Sequence, residues 1–226
     1  PYTTLFRSKV SRGIYANRKR LLNINPSLII NEIKAIINGK YYRKALDIII
    51  SLKLHKYMPS LTHAFKLQYN RYRKLAVEEF LLLAFVLNKK IDDNFLSLID
   101  DVHSFKKVFD LALKNPKSKY DLLDLYQNGE AICLMANRIN LLLKRSRKHY
   151  KEISKLYATL PIKSIDDLAF TSYDIYKLNN DLDESYINLL IDQIVYKVLY
   201  LEIINDYDAI KAFVINTLRD KNIQLT

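Results

Sequence analysis

The chain of 226 residues contains only three glycines, one cysteine and no tryptophan. Phosphate-binding loops and dinucleotide fingerprints need closely spaced glycines, because the backbone must approach the phosphates there. Gly13, Gly39 and Gly129 lie far apart, which excludes both kinds of site. A lone Cys133 excludes a disulfide within the chain and fits a reducing cytoplasm, where we expect a buried thiol.

Long hydrophobic runs and period-2 alternation are also missing. The longest apolar run, from Phe80 to Leu87, is far too short to cross a bilayer. Only Glu78 and Glu79 are polar within residues 75–87, so this stretch predicts a central helix buried nearly all round. The prolines after residue 1 all lie between helical patterns, at Pro26, Pro59, Pro116 and Pro161. The sequence therefore predicts an all-α protein.

Apolar residues at helical spacing place the helices along the chain. The first opens at Asn25–Ser27 and closes with Asn38–Gly39 as its C-terminal cap. The later ones are predicted at 42–55, 61–70, 73–88, 92–100, 102–114, 120–127, 129–145, 147–158, 165–169, 172–179, 184–200 and 206–219. The polar segment 114–119, which contains a proline, is the predicted junction between two domains.

Lysine and arginine total 36 against 24 aspartate and glutamate residues, a formal net charge of +12. Such an excess favours a polyanionic partner. Basic clusters occur at 18–20, 71–74 and 144–151. The third is the densest. As a helix it would project charge around most of its circumference and attract RNA phosphates through counterion release, with a solvated helix junction as the alternative.

Tyrosines accompany these basic residues. Tyr72 and Tyr150 lie inside two of the clusters and are candidates for stacking on unpaired bases or packing on ribose. The Tyr41–Tyr42 pair is expected to fill the core and the helix surface instead. The sequence thus predicts RNA binding mainly through charge.

Acidic pairs fall at predicted helix ends, where the helix dipole favours them. Ser164 and Asp167 have the spacing of a capping box. The pairs Asp92–Asp93 and Asp100–Asp101 are expected to cap helices in the same way.

Catalytic groups are harder to find. Metal-dependent nucleotidyl transfer needs two or three carboxylates around two metal ions. The only Asp-x-Asp spacings, 181–183 and 206–208, lie in a helical region and follow no strand, so we predict neither a metal site nor a catalytic residue. His55 and His63 lack a nearby carboxylate cluster, and Cys133 lacks a neighbouring histidine.

The segment 24–61 carries a family resemblance. Its order is similar to a helix of the type E-R-I-x-x-E-x-x-K-x-x-x-G that leads into A-L-x-x-L-x-x-x-G-L-x-x-x-x-P in bacterial CCA-adding enzymes, the tRNA nucleotidyltransferases with a head, neck, body and tail. The residues in matching order are Glu32, Lys34, Gly39, Ala45, Leu46, Leu54 and Pro59.

The second half continues the resemblance. Residues 120–129 are similar to Y-x-L-Y-x-x-G, residues 160–169 resemble L-P-I-x-S-x-x-D-L-A, and residues 189–206 resemble the closing helix of the family's tail. Departures include Lys53, which stands where the family has the glycine of its G-L pair. The matching segments extend from about residue 24 to 215.

The resemblance implies that the parent protein adds CMP, CMP and AMP to tRNA 3′ ends from CTP and ATP with Mg²⁺. Residues 9–115 would be a neck remnant and helical body of the tRNA/poly(A) polymerase RNA-binding type, and residues 116–226 the tail. Residues 1–8 read as a translated sequencing adapter. The Gly-Ser pair, strand Asp-x-Asp and Glu-Asp-x-x-Arg of the head and neck are not in the sequence, so this portion alone is expected to be inactive.

In this family the tail grips tRNA, which implies contacts with the acceptor arm and elbow. The residues expected to bind the phosphates are Lys144, Arg145, Arg147, Lys148 and Lys163. A poly(A) polymerase or an A-only or CC-only adding enzyme is the alternative within the family. A non-catalytic α-helical interaction module is the alternative from another class.

Overall fold

The structure, a computed structural model, describes residues 2–70 and 74–220. These residues form α-helices and short 3₁₀ helices without any strand, which confirms the all-α prediction. None of the described helices is long and apolar enough to cross a membrane. The α-helices are α1 (Tyr2–Asn17), α2 (Pro26–Asn38), α3 (Tyr42–Ser51), α4 (Thr62–Tyr69), α5 (Val77–Asn88), α6 (Val102–Lys114), α7 (Leu122–Leu142), α8 (Tyr150–Ala158), α9 (Ser172–Leu178), α10 (Glu184–Leu199) and α11 (Tyr207–Asp220).

Several boundaries differ from the sequence prediction. Helix α3 ends at Ser51, short of residue 55, because Lys53 adopts a left-handed backbone with φ of 60°. By contrast, the prediction of two helices that meet near Gly129 is confirmed, because the helical backbone of α7 is broken there: that glycine takes φ of 76° and ψ of 164°. The remaining short helices are 3₁₀ turns: Arg18–Asn23, Leu54–Tyr57, Pro59–Leu61, Asp93–Leu98 and Ile165–Asp167.

The chain folds as two compact units. Unit 1 takes the residues up to 118 together with 135–148, and unit 2 takes residues 119–134 together with those from 149 onward. The predicted junction lies between residues 115 and 116. In the structure the second unit begins at Lys119, and the segment 135–148 belongs to the first.

The core of unit 1 is built around α5. All side chains from Phe80 to Val86 are at least 98% buried, as the apolar run predicts. Phe85 lies edge-on to Phe95 and Phe105, with ring centroids 6.1 and 6.0 Å away. Each such side chain contributes roughly 2–3 kcal/mol by burial, so α5 is the centre of this unit's stability.

The core of unit 2 is formed mainly by α9, α10 and α11. Fully buried side chains recur on α10 at Leu190, Ile194 and Val198, a spacing of four residues that keeps them on one face. Val214 and Leu218 of α11 are also fully buried. The helices thus bury single apolar stripes and leave their other faces to solvent.

Candidate nucleic-acid interface

The densest basic cluster lies mostly in a loop. Residues 143–149 connect α7 to α8 without forming helix, so the prediction of helix over 143–145 and 147–149 is wrong. Lys144 follows the end of α7 with a left-handed backbone, φ of 58°. The N–H of Arg145 then donates to the Asn140 carbonyl at 2.8 Å, the hydrogen bond of a Schellman cap.

Two buried asparagines on α7 hold this loop in place. The Nδ2 of Asn137 donates to the Arg147 carbonyl at 2.9 Å and lies 3.2 Å from Ser146 Oγ. The Nδ2 of Asn140 donates to the Asn115 carbonyl at 3.1 Å. Both asparagine side chains are fully buried. Because buried amides are costly without partners, these contacts strongly favour one arrangement of the backbone.

The same network connects a second loop to the first. Asn140 Nδ2 lies 3.3 Å from Ser118 Oγ, and Ser146 Oγ donates to the Lys117 carbonyl at 2.8 Å. The segments 114–118 and 143–148 are therefore joined side by side. We call them together the two-loop surface.

The two-loop surface is strongly basic. Four of the predicted phosphate-binding residues belong to it, and three of these, Lys144, Arg147 and Lys148, are exposed, whereas Arg145 is half-buried. The second loop adds the exposed Lys114 and Lys117, which the sequence pattern indicates only as part of a domain junction. No local sequence pattern indicates their position, because it depends on hydrogen bonds that Asn140 and Ser146 make to Ser118 and Lys117, 22 and 29 positions away in the chain.

Lys163, the fifth predicted residue, belongs to unit 2. It is exposed, and its Nζ lies 5.1 Å from the centroid of the Tyr157 ring. Asp167 accepts hydrogen bonds from the backbone N–H groups of Lys163 at 2.7 Å and Ser164 at 2.9 Å, which lower its pKa. This confirms Asp167 as a helix-end acid. It also means that a carboxylate lies beside Lys163.

The other basic clusters are only partly described. Arg18 lies over the Tyr15 ring, 3.6 Å from its centroid. Of the cluster 71–74, only Lys74 falls within the described residues, so the predicted stacking role of Tyr72 lies outside them. Tyr150 is half-buried at the first turn of α8.

Two acidic residues of the Asp-x-Asp spacings cap helices. Asp183 accepts from the Tyr186 N–H at 2.7 Å and caps α10. Asp206 accepts from the Asp208 and Ala209 N–H groups at 3.1 Å and caps α11. Within residues 2–70 and 74–220, no group of three or more His, Cys, Asp or Glu side chains is placed to hold a metal.

Cys133 is fully buried, as predicted. Burial raises the pKa of its thiol to about 12. A thiol that stays protonated is a poor nucleophile, so this residue belongs to the core.

Comparison with known proteins agrees with this architecture. A family model described as "tRNA nucleotidyltransferase domain 2 putative" matches residues 95–214, more than half of the chain. The CCA-adding enzyme of Listeria monocytogenes serotype 4b is 24% identical over 196 residues, which cover 79% of this chain and 47% of that protein. The CCA-adding enzyme of Bacillus licheniformis is 25% identical over 219 residues, which cover 89% and 54%.

A solved structure shares the fold. The Bacillus stearothermophilus CCA-adding enzyme, crystallised in complex with CTP, matches with a TM-score of 0.72 at 20% identity. The match covers 94% of this chain and 57% of that one. The chain thus spans about half the length of the relatives that it matches.

Proposed function

Because this chain belongs to the tRNA nucleotidyltransferase family, in the body and tail region of the CCA-adding enzymes, we propose that it is the tRNA-holding portion of such an enzyme. The observation that carries the proposal is the two-loop surface. Its backbone is fixed by the buried side chains of Asn137 and Asn140, and a rigid basic surface suits the fixed phosphate spacing of a folded RNA. Lys163 adds a further phosphate contact from unit 2.

The parent enzyme would add CMP, CMP and AMP to the tRNA 3′ end from CTP and ATP. Its Mg²⁺ ions would belong to the head and its base-selecting residues to other parts of the neck, whereas Asp183 and Asp206 serve as helix caps here. The tRNA acceptor arm and elbow are the proposed ligands. This portion would orient the tRNA and leave the chemistry to the head.

The test is binding of a tRNA minihelix by fluorescence anisotropy at KCl concentrations from about 50 to 200 mM, a range over which phosphate-binding proteins change affinity strongly. The variant replaces Lys144, Arg145, Arg147 and Lys148 with Ala. We expect affinity to fall by roughly tenfold or more at the lowest salt. The salt dependence should flatten by about one unit for each phosphate that no longer binds a cation.

A matched control removes the same number of positive charges elsewhere in unit 1. The residues replaced with Ala are the exposed lysines Lys66, Lys89, Lys90 and Lys106. If this control weakens binding as much, the effect is one of net charge alone and the two-loop surface is not the site. A further variant, Asn140→Ala, keeps every cation but frees the loops, and we expect an intermediate fall in affinity.

The rival interpretations give different outcomes. A non-catalytic interaction module predicts no measurable affinity for the minihelix in the unmodified chain. A poly(A) polymerase portion predicts that the two-loop surface holds single-stranded RNA as well as the minihelix, so that the four alanine replacements weaken the binding of both equally.

A further inference from the structure

The turn that follows α2 and the first turn of α3 together carry the sequence KYYRK, residues 40–44. Its two tyrosines have different surroundings. Tyr42 is half-buried and lines a small interior cavity with Ile36 and Phe80. Tyr41 is 64% exposed, and the Nζ atoms of Lys40 and Lys44 lie 5.7 and 5.4 Å from the centroid of its ring.

This turn is held firmly by its neighbours. Arg43 donates to the Tyr69 carbonyl at 2.9 Å, and Lys74 Nζ donates to the Gly39 carbonyl at 3.4 Å. Gly39 itself packs so closely that a Cβ there would lie 2.9 Å from the Ala35 carbonyl oxygen. The backbone that carries the exposed Tyr41 ring is therefore held in one conformation, which lowers the entropic cost of binding a ligand.

We propose that Tyr41, Lys40 and Lys44 bind an unpaired nucleotide of single-stranded RNA. The Tyr41 ring stacks on the base, and the two ammonium groups contact the phosphates on either side of it. The site lies outside the two-loop surface. The inference rests on the proposed function only in taking RNA as the polyanion.

Relative magnitudes favour this use of the ring. A surface contact between a cation and an aromatic ring changes an equilibrium by about two- to fivefold. Stacking of an RNA base on an aromatic side chain raises affinity by roughly 5- to 150-fold. The lysines can therefore leave the ring face for phosphates when a base arrives. A duplex gains nothing here, because its bases are already stacked on each other.

The experiment measures the affinity of the full chain for three probes at about 50 mM KCl, where phosphate contacts are strong. They are fluorescein-labelled hexa-adenylate RNA, a blunt-ended RNA duplex without a loop, and heparin. For Tyr41→Ala we expect hexa-adenylate binding to weaken by about 5- to 150-fold, with duplex and heparin affinities unchanged within about twofold. Tyr41→Phe keeps the stacking face and should bind hexa-adenylate like the unmodified chain.

The matched control is Tyr176→Ala, which removes a tyrosine that is 48% exposed in unit 2. The stacking site is overturned if Tyr41→Ala and Tyr176→Ala weaken hexa-adenylate binding equally, or if Tyr41→Ala weakens the binding of all three probes equally. It is also overturned if the unmodified chain has no affinity for hexa-adenylate. The proposed function fails separately, when the Ala variant of the two-loop surface binds the minihelix normally. Thermal melts check folding, since an exposed ring contributes little to stability.

Discussion

The two units place their polar groups differently. Unit 1 buries His55, Gln68, Glu79, Asn137 and Asn140 inside its helices. In unit 2 the buried polar side chain among the described residues is Asn179, and exposed helix-end acids make many of the polar contacts. The acids of unit 2 that accept backbone N–H groups are Asp121, Asp167, Asp174, Asp183 and Asp206.

This difference has a functional meaning. Interior amides and ions hold distant segments in one arrangement, as Asn140 does for the two loops of the basic surface. Surface caps define where a helix begins and hold nothing far along the chain. We therefore expect unit 1 to be sensitive to removal of single buried polar groups and unit 2 to tolerate removal of single helix-end acids.

The largest expected effect comes from the ion pair between Arg138 of α7 and the buried Glu79 of α5. Arg138→Ala leaves that carboxylate buried without its cation, although the Ala76 N–H still donates to it at 3.1 Å. Removing one member of a buried pair costs about 3–5 kcal/mol. The Arg138 side chain is 28% exposed, so we expect the free energy of unfolding to fall by about 2–3 kcal/mol, measured by urea denaturation.

The comparison within this experiment is Lys197→Ala, which breaks the 2.8 Å surface pair with Glu202 in unit 2. Exposed pairs contribute about 0–1 kcal/mol, so the destabilisation should be several-fold smaller. Equal destabilisation at the two sites would show that the contrast between the units is wrong. Hydrogen exchange then locates which helices open.

The second prediction concerns acidification. Burial, with a smaller effect from Lys66 and Lys56, lowers the pKa of His55 below its ordinary value of 6.5. The unfolded chain therefore binds the proton more readily, so this stabilisation is complete above pH 6.5 and is lost as pH falls below it. One proton gives a slope of at most about 1.4 kcal/mol per pH unit.

The caps of unit 2 respond at lower pH. Hydrogen bonds from Thr171 lower the pKa of Asp174, and those from Ser185 and Tyr186 lower that of Asp183, below the ordinary 3.8. Their stabilisation persists until pH falls below 3.8. As pH is lowered, amide hydrogen exchange should therefore lose protection in unit 1 before it does so in unit 2. In the His55→Gln variant, this loss of protection at mildly acidic pH should disappear. If it persists, a group other than His55 causes it.

The smallest expected effect concerns a strained backbone conformation that occurs in both units. Lys53 in unit 1 and Leu201 in unit 2 both have left-handed backbones, with φ of 60° and 57°. Glycine relieves that strain but adds freedom to the unfolded chain, so Lys53→Gly and Leu201→Gly should each stabilise by about 0.5 kcal/mol. Lys53→Ala keeps the strain and is the control. Urea midpoints that move equally for Ala and Gly would rule out backbone strain.

Much of the fold followed from sequence patterns. The run 80–87 predicted the buried helix α5, and the acids at Asp92, Asp101 and Asp167 predicted helix ends that the structure has. These features depend on residues near each other in the chain. The family resemblance is likewise confirmed, although no single matching segment is long.

The basic surface was less predictable. The sequence marked Lys144 to Lys148 as a charged segment but predicted a helix there, because local propensity does not foresee a left-handed Lys144. Lys117 was not anticipated as part of a binding surface. Its position depends on hydrogen bonds made by Ser146 and Asn140, which span 29 and 22 positions along the chain.

The sequence by itself determined that this chain is helical and basic, because each of these depends on composition or on spacing within one helix. Only the tertiary structure decided which cations share a surface and which tyrosine of the pair 41–42 faces solvent. The physical reason is that buried hydrogen bonds join segments far apart in sequence, and no local pattern encodes which donor meets which acceptor.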